Sequence, residues 1–186
     1  MDVLDFPDGA RWEAWLAAHH EAQSEAWLRI AKKGSGIDTI PIGDALDGAL
    51  CFGWIDGQRR SLDAVSFLQR YSRLRPTSSW SKINVAKAEA LLAAGRMRPA
   101  GLAEIDAAKA DGRWDAAYES QRTAQTPPDL AAALADDARA RAAFERLGRS
   151  DRYSLILPLL KARSPQSRAK LLVRTVERLA ASTDGD

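Results

Sequence analysis

Arginine and tryptophan side chains are interleaved over residues 54–84 of the chain. A planar guanidinium suits a bidentate contact with a phosphate or carboxylate, and a tryptophan ring beside it offers a stacking surface. These residue types together predict a pocket for an anionic ligand or protein partner. The residues that we assign to this pocket are Trp54, Asp56, Arg59, Arg70, Arg73, Trp80, Lys82 and Asn84.

A β-hairpin is predicted to position these side chains. Residues 54–62 and 65–74 read as two paired strands, and a helix is predicted to follow from about residue 82. Simple alternation along the first strand places Trp54 and Asp56 on one face and Arg59 on the other. The backbone amides at the helix start would add neutral donors to a bound anion.

Two other interpretations of these residues stay open. In the structural one, Trp54 and Trp80 belong to the core, and Asp56 forms an ion pair with Arg59 or Arg70. In the catalytic one, Asp56 is a buried general base with a shifted pKa. No histidine and no nucleophile motif lies near Asp56 in the sequence, so we assign no catalytic residue and favour a non-enzymatic protein.

Positive charge is concentrated in two blocks, although the whole chain carries a net charge of only +2. Residues 57–87 hold seven Lys/Arg and one acidic residue, and residues 149–178 hold eight and two. Residues 1–56 hold ten acidic residues and four Lys/Arg. Each basic block therefore faces either an anion or the acidic N-terminal third of the same chain. Nucleic-acid binding through both blocks is the alternative function.

Composition excludes several classes of protein for this 186-residue chain. The single cysteine, Cys51, excludes internal disulfides, and the adjacent His19 and His20 point about 100° apart on a helix, which suits a shared metal poorly. We therefore predict no metal and no cofactor. No apolar run approaches the ~20 residues of a membrane span, and the acidic N-terminus does not resemble a signal peptide. We expect a cytoplasmic protein without a membrane span.

The order of predicted elements indicates an α+β fold, in which a small antiparallel sheet with packed helices is followed by a helical C-terminal domain. We place an α+β domain with a tryptophan-rich core at residues 1–120 and the helical domain at residues 127–181. Six tryptophans are expected to hold these two parts together: Trp12, Trp15, Trp27, Trp54, Trp80 and Trp114.

Several segments of the chain resemble one family of bacterial proteins. Residues 52–57, 78–84, 95–101 and 111–118 are similar to hallmark segments of the YdeI/OmpD-associated family, and residues 127–179 resemble its helical domain. The resemblance implies a bacteriocin-protection or stress-tolerance protein. Some members are linked to resistance against antimicrobial peptides and to an outer-membrane porin. The resemblance implies no catalytic residues.

Overall fold

A computed structural model describes residues 2–182. Residue 1, where our first predicted domain begins, and residues 183–186 lie outside the described part. Within it the chain forms a four-stranded sheet and eight α-helices, which confirms the predicted α+β class. The described residues separate into two compact units: unit 1 comprises 2–80 and 84–116, and unit 2 comprises 81–83 and 117–182. Our domain limits stay a prediction.

The sheet belongs to unit 1 and contains one parallel pair of strands. Its members are β1 (Val3–Leu4), β2 (Glu25–Ala31), β3 (Trp54–Ser61) and β4 (Ser66–Arg73), arranged in the order β1-β2-β4-β3. β4 pairs antiparallel with β3, and these two strands form the predicted hairpin. On its other side β4 pairs antiparallel with β2. The short β1 pairs parallel with β2 and makes the sheet mixed. A two-residue strand has too little alternation to be predicted from sequence.

A β-bulge interrupts β3 and changes which side chains share a face. Asp56 pairs with Tyr71 and Arg59 pairs with Gln69, so two residues of β3 lie opposite the single residue Arg70. The buried Gln69 amide donates to the first carbonyl inside the bulge at 3.1 Å. Because of the extra residue, Arg59 lies on the same face as Asp56. The prediction from simple alternation, which separated these two residues, is therefore wrong.

Trp12 is the central core residue of unit 1. The helices of this part are α1 (Gly9–His19), α2 (Ile42–Cys51), α3 (Lys82–Ala93) and α4 (Pro99–Ala110), and the first two residues of α3 are assigned to unit 2. The fully buried Trp12 donates its indole N–H to the Ala45 carbonyl of α2 at 2.9 Å. Its ring stacks on Trp15 at 5.3 Å and contacts Tyr71 of β4 at 5.7 Å. Trp12 therefore joins α1 to α2 and to the sheet.

All six tryptophans lie in unit 1. Trp15 is half-buried and the other five are buried. Unit 2 contains no tryptophan, so its core is built from other residue types. The tryptophans therefore belong to the core of unit 1, and the expectation that they hold the two parts together stays a prediction.

Unit 2 is helical. It contains α5 (Pro128–Asp136), α6 (Ala138–Arg146), α7 (Arg149–Lys161) and α8 (Pro165–Ala181). Its core is formed by leucine, alanine and one phenylalanine, with Leu130 and Leu159 fully buried. The Asp137 side chain caps α6, and Ser164 caps α8 immediately before a proline. None of the helices in residues 2–182 combines the length and the apolar character that crossing a membrane requires.

We expect Gly101→Ala to destabilise unit 1 by about 1–3 kcal/mol, the usual cost of overpacking. A Cβ at Gly101 would overlap the carbonyl oxygen of Cys51 and lie 2.7 Å from that of Leu50, and both are backbone atoms of α2. Gly43→Ala in α2 is the control, because no atom lies within 4 Å of its Cβ position and alanine favours a helix. Thermal midpoints measured by circular dichroism check this, and an unchanged midpoint for Gly101→Ala would contradict it.

Candidate functional site

The sheet divides the predicted binding residues between its two faces. Pairing register places Arg70 on one face, together with Trp27 of β2. The opposite face, against which α1 packs, carries Trp54, Asp56, Arg59 and Arg73. Arg59 and Arg70 therefore point to opposite sides of the sheet, and the predicted residues do not form one recess. Whether any of them binds a ligand stays a prediction.

Acidic residues of the N-terminal third neutralise part of the first basic block. Arg70 forms an ion pair with Glu25 at 3.2 Å, and Lys87 forms one with Asp47 at 2.6 Å. Both pairs lie within unit 1. This was one of the two interpretations that the charge pattern left open, and it explains why the block carries less free positive charge than the sequence suggests.

Arg59 and Arg73 make contacts that position the chain. Arg59 donates to the Gln69 side chain at 3.2 Å, and its guanidinium lies 4.3 Å from the centre of the Phe67 ring. Arg73 donates to the main-chain carbonyls of Glu21 and Gln23, just beyond the end of α1. These contacts give both arginines a structural role in unit 1.

The two tryptophans of the predicted pocket are core residues. Trp54 is 1% exposed and Trp80 is 3% exposed. Trp80 packs against Trp114 at 5.0 Å between ring centres. Within the described residues neither indole N–H has a hydrogen-bond partner. Both rings are therefore unavailable as open stacking surfaces.

Lys82 and Asn84 belong to different units. Lys82 lies in unit 2, where it forms a 2.5 Å ion pair with Glu119. Asn84 is half-buried in α3 and lies in unit 1. Among residues 2–182 no group of three His, Cys, Asp or Glu side chains is arranged to hold a metal ion.

Asp56 carries a carboxyl group with a raised pKa. The residue is exposed at the surface, yet neighbouring groups remove enough water from its carboxylate for desolvation to raise the pKa. Its own backbone amide and the charge of Arg59 oppose the shift only in part. In the described part of the chain Asp56 forms no ion pair, so the predicted pairing with Arg59 or Arg70 is absent.

A cavity of about 500 Å³ opens in unit 2 along one face of α7. Helical spacing brings Arg149, Arg152, Tyr153 and Ile156 to this face. The rest of the lining is provided by Gln121, Ala124, Gln125, Thr126 and Leu147. No acidic residue among those described lines this cavity, although two arginines do. The cavity is therefore electropositive, with an apolar part at Leu147 and Ile156.

Backbone carbonyls hold the two cavity arginines in place. Arg152 donates to the carbonyls of Phe144 at 3.1 Å and Glu145 at 2.5 Å, in the last turn of α6. Arg149 donates to the carbonyl of Arg122 at 2.6 Å. A carbonyl is neutral, so these bonds orient the guanidinium groups without cancelling their charge. The cavity arginines thus combine fixed positions with undiminished positive charge.

The opposite wall of the cavity is fastened to α7. The Tyr153 hydroxyl donates to the Glu119 carbonyl at 2.9 Å, and the Gln121 amide donates to the Ser150 hydroxyl at 2.8 Å. Together with the Arg149 bond, these contacts fix the wall segment along the first two turns of α7. The cavity is therefore formed before any ligand arrives.

Sequence reasoning missed this cavity although it recognised the basic block. α7 starts at Arg149, so it includes both arginines and places them on one face. One signal in the sequence could have indicated the cavity. Arg149, Arg152 and Ile156 are separated by three and then four residues, which is the spacing of side chains on one face of a helix.

An ion pair in unit 2 joins three of its helices. Arg168 of α8 makes a bidentate contact with Asp129 of α5, at 2.6 and 2.9 Å. The same guanidinium donates to the Leu159 carbonyl near the end of α7 at 2.6 Å. The hydrogen bonds from Arg168 are the main cause that lowers the pKa of Asp129.

Two family models match the chain. One, described as a domain of unknown function (DUF8412), matches residues 4–104, which is more than half of the chain. The other, described as "Bacteriocin-protection, YdeI or OmpD-Associated", matches residues 123–182 and confirms the resemblance for the C-terminal part. The N-terminal segments that suggested the same family, 52–57, 78–84 and 95–101, lie within the first match. No curated protein and no solved structure matches the chain.

We expect Asp129→Asn to destabilise the protein at pH 7 by about 1 kcal/mol, the value of a partly exposed charged hydrogen bond. The folded-state pKa of Asp129 is lowered, so its stabilisation is present above the ordinary Asp pKa of about 3.9 and is lost as the pH falls through the folded-state pKa. Thermal midpoints of wild type and variant should converge towards pH 2. A difference that is independent of pH would contradict the assignment.

We expect Asp56→Asn to change the stability at pH 7 in the opposite direction to Asp129→Asn. Because desolvation raises the folded-state pKa of Asp56, ionisation of this carboxyl opposes folding above that pKa. The variant should therefore be at least as stable as wild type at pH 7, and the gain should vanish at pH 3. The same thermal series measures this, and a loss of stability at pH 7 would show that the ionised carboxylate is favourable in the fold.

Proposed function

The chain belongs to the DUF8412 family and carries a C-terminal domain of the bacteriocin-protection, YdeI or OmpD-associated type, and on this basis we propose a non-enzymatic protection protein that binds an anionic ligand or partner. The proposed site is the cavity of unit 2 at Arg149 and Arg152. The observation that carries the proposal is the pair of fixed arginines in a cavity without a lining carboxylate.

The charge of the matched domain supports this location. Residues 123–182 contain eleven Lys/Arg and six Asp/Glu. Arg168 and Asp129 neutralise one another, but Arg149 and Arg152 bond to carbonyls. In unit 1, by contrast, Glu25 neutralises Arg70. The better place for the predicted anionic ligand is therefore the second basic block.

The lining of the cavity defines the chemistry of a suitable ligand. Two guanidinium groups suit a phosphate or carboxylate, and the side chains of Gln125 and Thr126 add neutral hydrogen-bonding groups. Ile156 and Leu147 offer apolar contact beside them. A molecule with an anionic group attached to an apolar ring or chain would use both parts. A volume of about 500 Å³ lies within the usual range for small-molecule sites.

We expect phenyl phosphate to bind wild type, and Arg149→Ala or Arg152→Ala to weaken it about tenfold or more, since a charged hydrogen bond contributes about 1.5–3 kcal/mol. Isothermal titration calorimetry at low salt measures this. The matched control is Arg174→Ala, which removes an exposed arginine of α8 that does not line the cavity. Phenol, which lacks the charge, should bind far more weakly than phenyl phosphate. Equal losses in all three variants would contradict a site at the cavity.

Nucleic-acid binding is the second candidate, and the exposed ridge of Lys170, Arg174 and Arg178 on α8 favours it. Such binding depends on total charge and falls steeply with salt as counterions are released. A mixed-sequence oligonucleotide should then bind less tightly to Arg174→Ala and to Arg149→Ala alike. Equal weakening in these two variants would favour a nucleic acid, and not a small ligand of the cavity, as the anionic partner.

A further inference from the structure

Two adjoining cavities in unit 1 form a groove that the proposed function does not use. The larger, of about 690 Å³, runs along α1 past Ala14 and Ala17 to the start of α4. The smaller, of about 220 Å³, lies at its end. The two share Phe52 and Ala100, together with His20 and Glu21. A ligand can therefore occupy the small cavity and extend into the groove.

The small cavity contains a carboxyl group without a partner. Glu104 of α4 is half-buried, and within residues 2–182 it forms no hydrogen bond or ion pair. The absence of a side chain at Gly53 lets α4 pack closely against this residue. A Cβ at Gly53 would lie 3.0 Å from the Glu104 side chain and 3.0 Å from the Ala100 carbonyl oxygen. Desolvation raises the pKa of Glu104, and the more distant charge of Arg113 opposes this. An unpaired, half-buried carboxylate is stabilised by a cation that arrives with a ligand.

A positive group lines the same small cavity. Arg73 donates to two backbone carbonyls, so its charge is not cancelled, and it forms no ion pair with Glu104. The wall also contains Trp54, whose indole N–H is buried without an acceptor. The cavity is thus lined by two carboxylates, the exposed Glu21 and the half-buried Glu104, and by one cationic group, Arg73.

Aromatic and small side chains provide the apolar part of the groove. The His20 ring packs against Phe52 at 5.2 Å between ring centres. His20 Nδ1 lies 2.9 Å from the Leu16 carbonyl, which can only accept, so this nitrogen carries a hydrogen, and Nε2 lies 3.9 Å from the Glu21 carboxylate. Ala14 and Ala17 leave room above Phe52 for an apolar side chain.

We propose that this groove binds a zwitterionic ligand of the amino-acid class with an apolar side chain. Its ammonium group pairs with Glu104, its carboxylate pairs with Arg73, and its side chain lies over Phe52 beside the alanines of α1. The inference concerns unit 1 and does not depend on the anion site of unit 2.

The experiment titrates the full chain with L-phenylalanine and two analogues that each lack one charge. N-acetyl-L-phenylalanine has no ammonium group and phenethylamine has no carboxylate. We expect L-phenylalanine to bind at least about tenfold more tightly than either analogue, the loss that corresponds to one ion contact of about 1.4 kcal/mol. The indole N–H resonance of Trp54, assigned with Trp54→Phe, should shift on binding in the proton–nitrogen NMR spectrum.

Variants locate the ligand in the groove. Glu104→Gln should weaken L-phenylalanine and phenethylamine but leave N-acetyl-L-phenylalanine unchanged. Ala17→Leu fills the groove and should weaken all three ligands, whereas Ala18→Leu, an exposed position of α1 outside the lining, should weaken none. Absence of L-phenylalanine binding to wild type, equal affinity for the three ligands, or unchanged binding to Glu104→Gln would each overturn the proposal.

Discussion

Hydrogen bonds from arginine side chains to backbone carbonyls at helix ends organise both units of this protein. The last carbonyls of a helix have no partner inside the helix, and they need donors from elsewhere. Arg152 supplies one at the end of α6 and Arg168 supplies one at the end of α7, whereas Arg73 bonds to carbonyls of the segment that follows α1. Each bond fixes a guanidinium group in place. Because the acceptor is neutral, the positive charge of the arginine is kept for a further interaction.

What satisfies that remaining charge differs among these arginines. Arg168 also forms an ion pair with Asp129, so its charge is neutralised and it links the helices that carry the two residues. Arg152 meets no carboxylate in the cavity of unit 2, and neither does its neighbour Arg149. Arg73 shares its cavity with Glu104 but does not pair with it. The neutralised Arg168 stabilises the fold, whereas Arg152 and Arg73 keep a positive charge that a ligand could use.

Local sequence signals were sufficient to predict most elements but not the spatial grouping of side chains. Asp8 and Ser164 are hydrogen-bonded caps that mark helix starts, and Gly53 ends α2 with positive φ, so these boundaries follow from short-range chemistry. The bulge opposite Arg70 has only a weak local signal, the glycine Gly57 inside a strand, yet it decides which face Arg59 takes. The pairing of Arg70 with Glu25 depends on strand register between distant segments. Such long-range pairing is why the predicted arginine pocket was not found as one recess.

The central claim is that Arg149 and Arg152 hold fixed, uncompensated positive charge in an open cavity. The most direct measurement follows the side-chain Nε–H resonances of Arg149, Arg152 and Arg174 in nitrogen-15 NMR spectra while phenyl phosphate is added at low salt. We predict saturable shifts of the first two resonances and a stationary Arg174 resonance. Equal shifts of all three, or no shift of Arg149 and Arg152, would contradict the account.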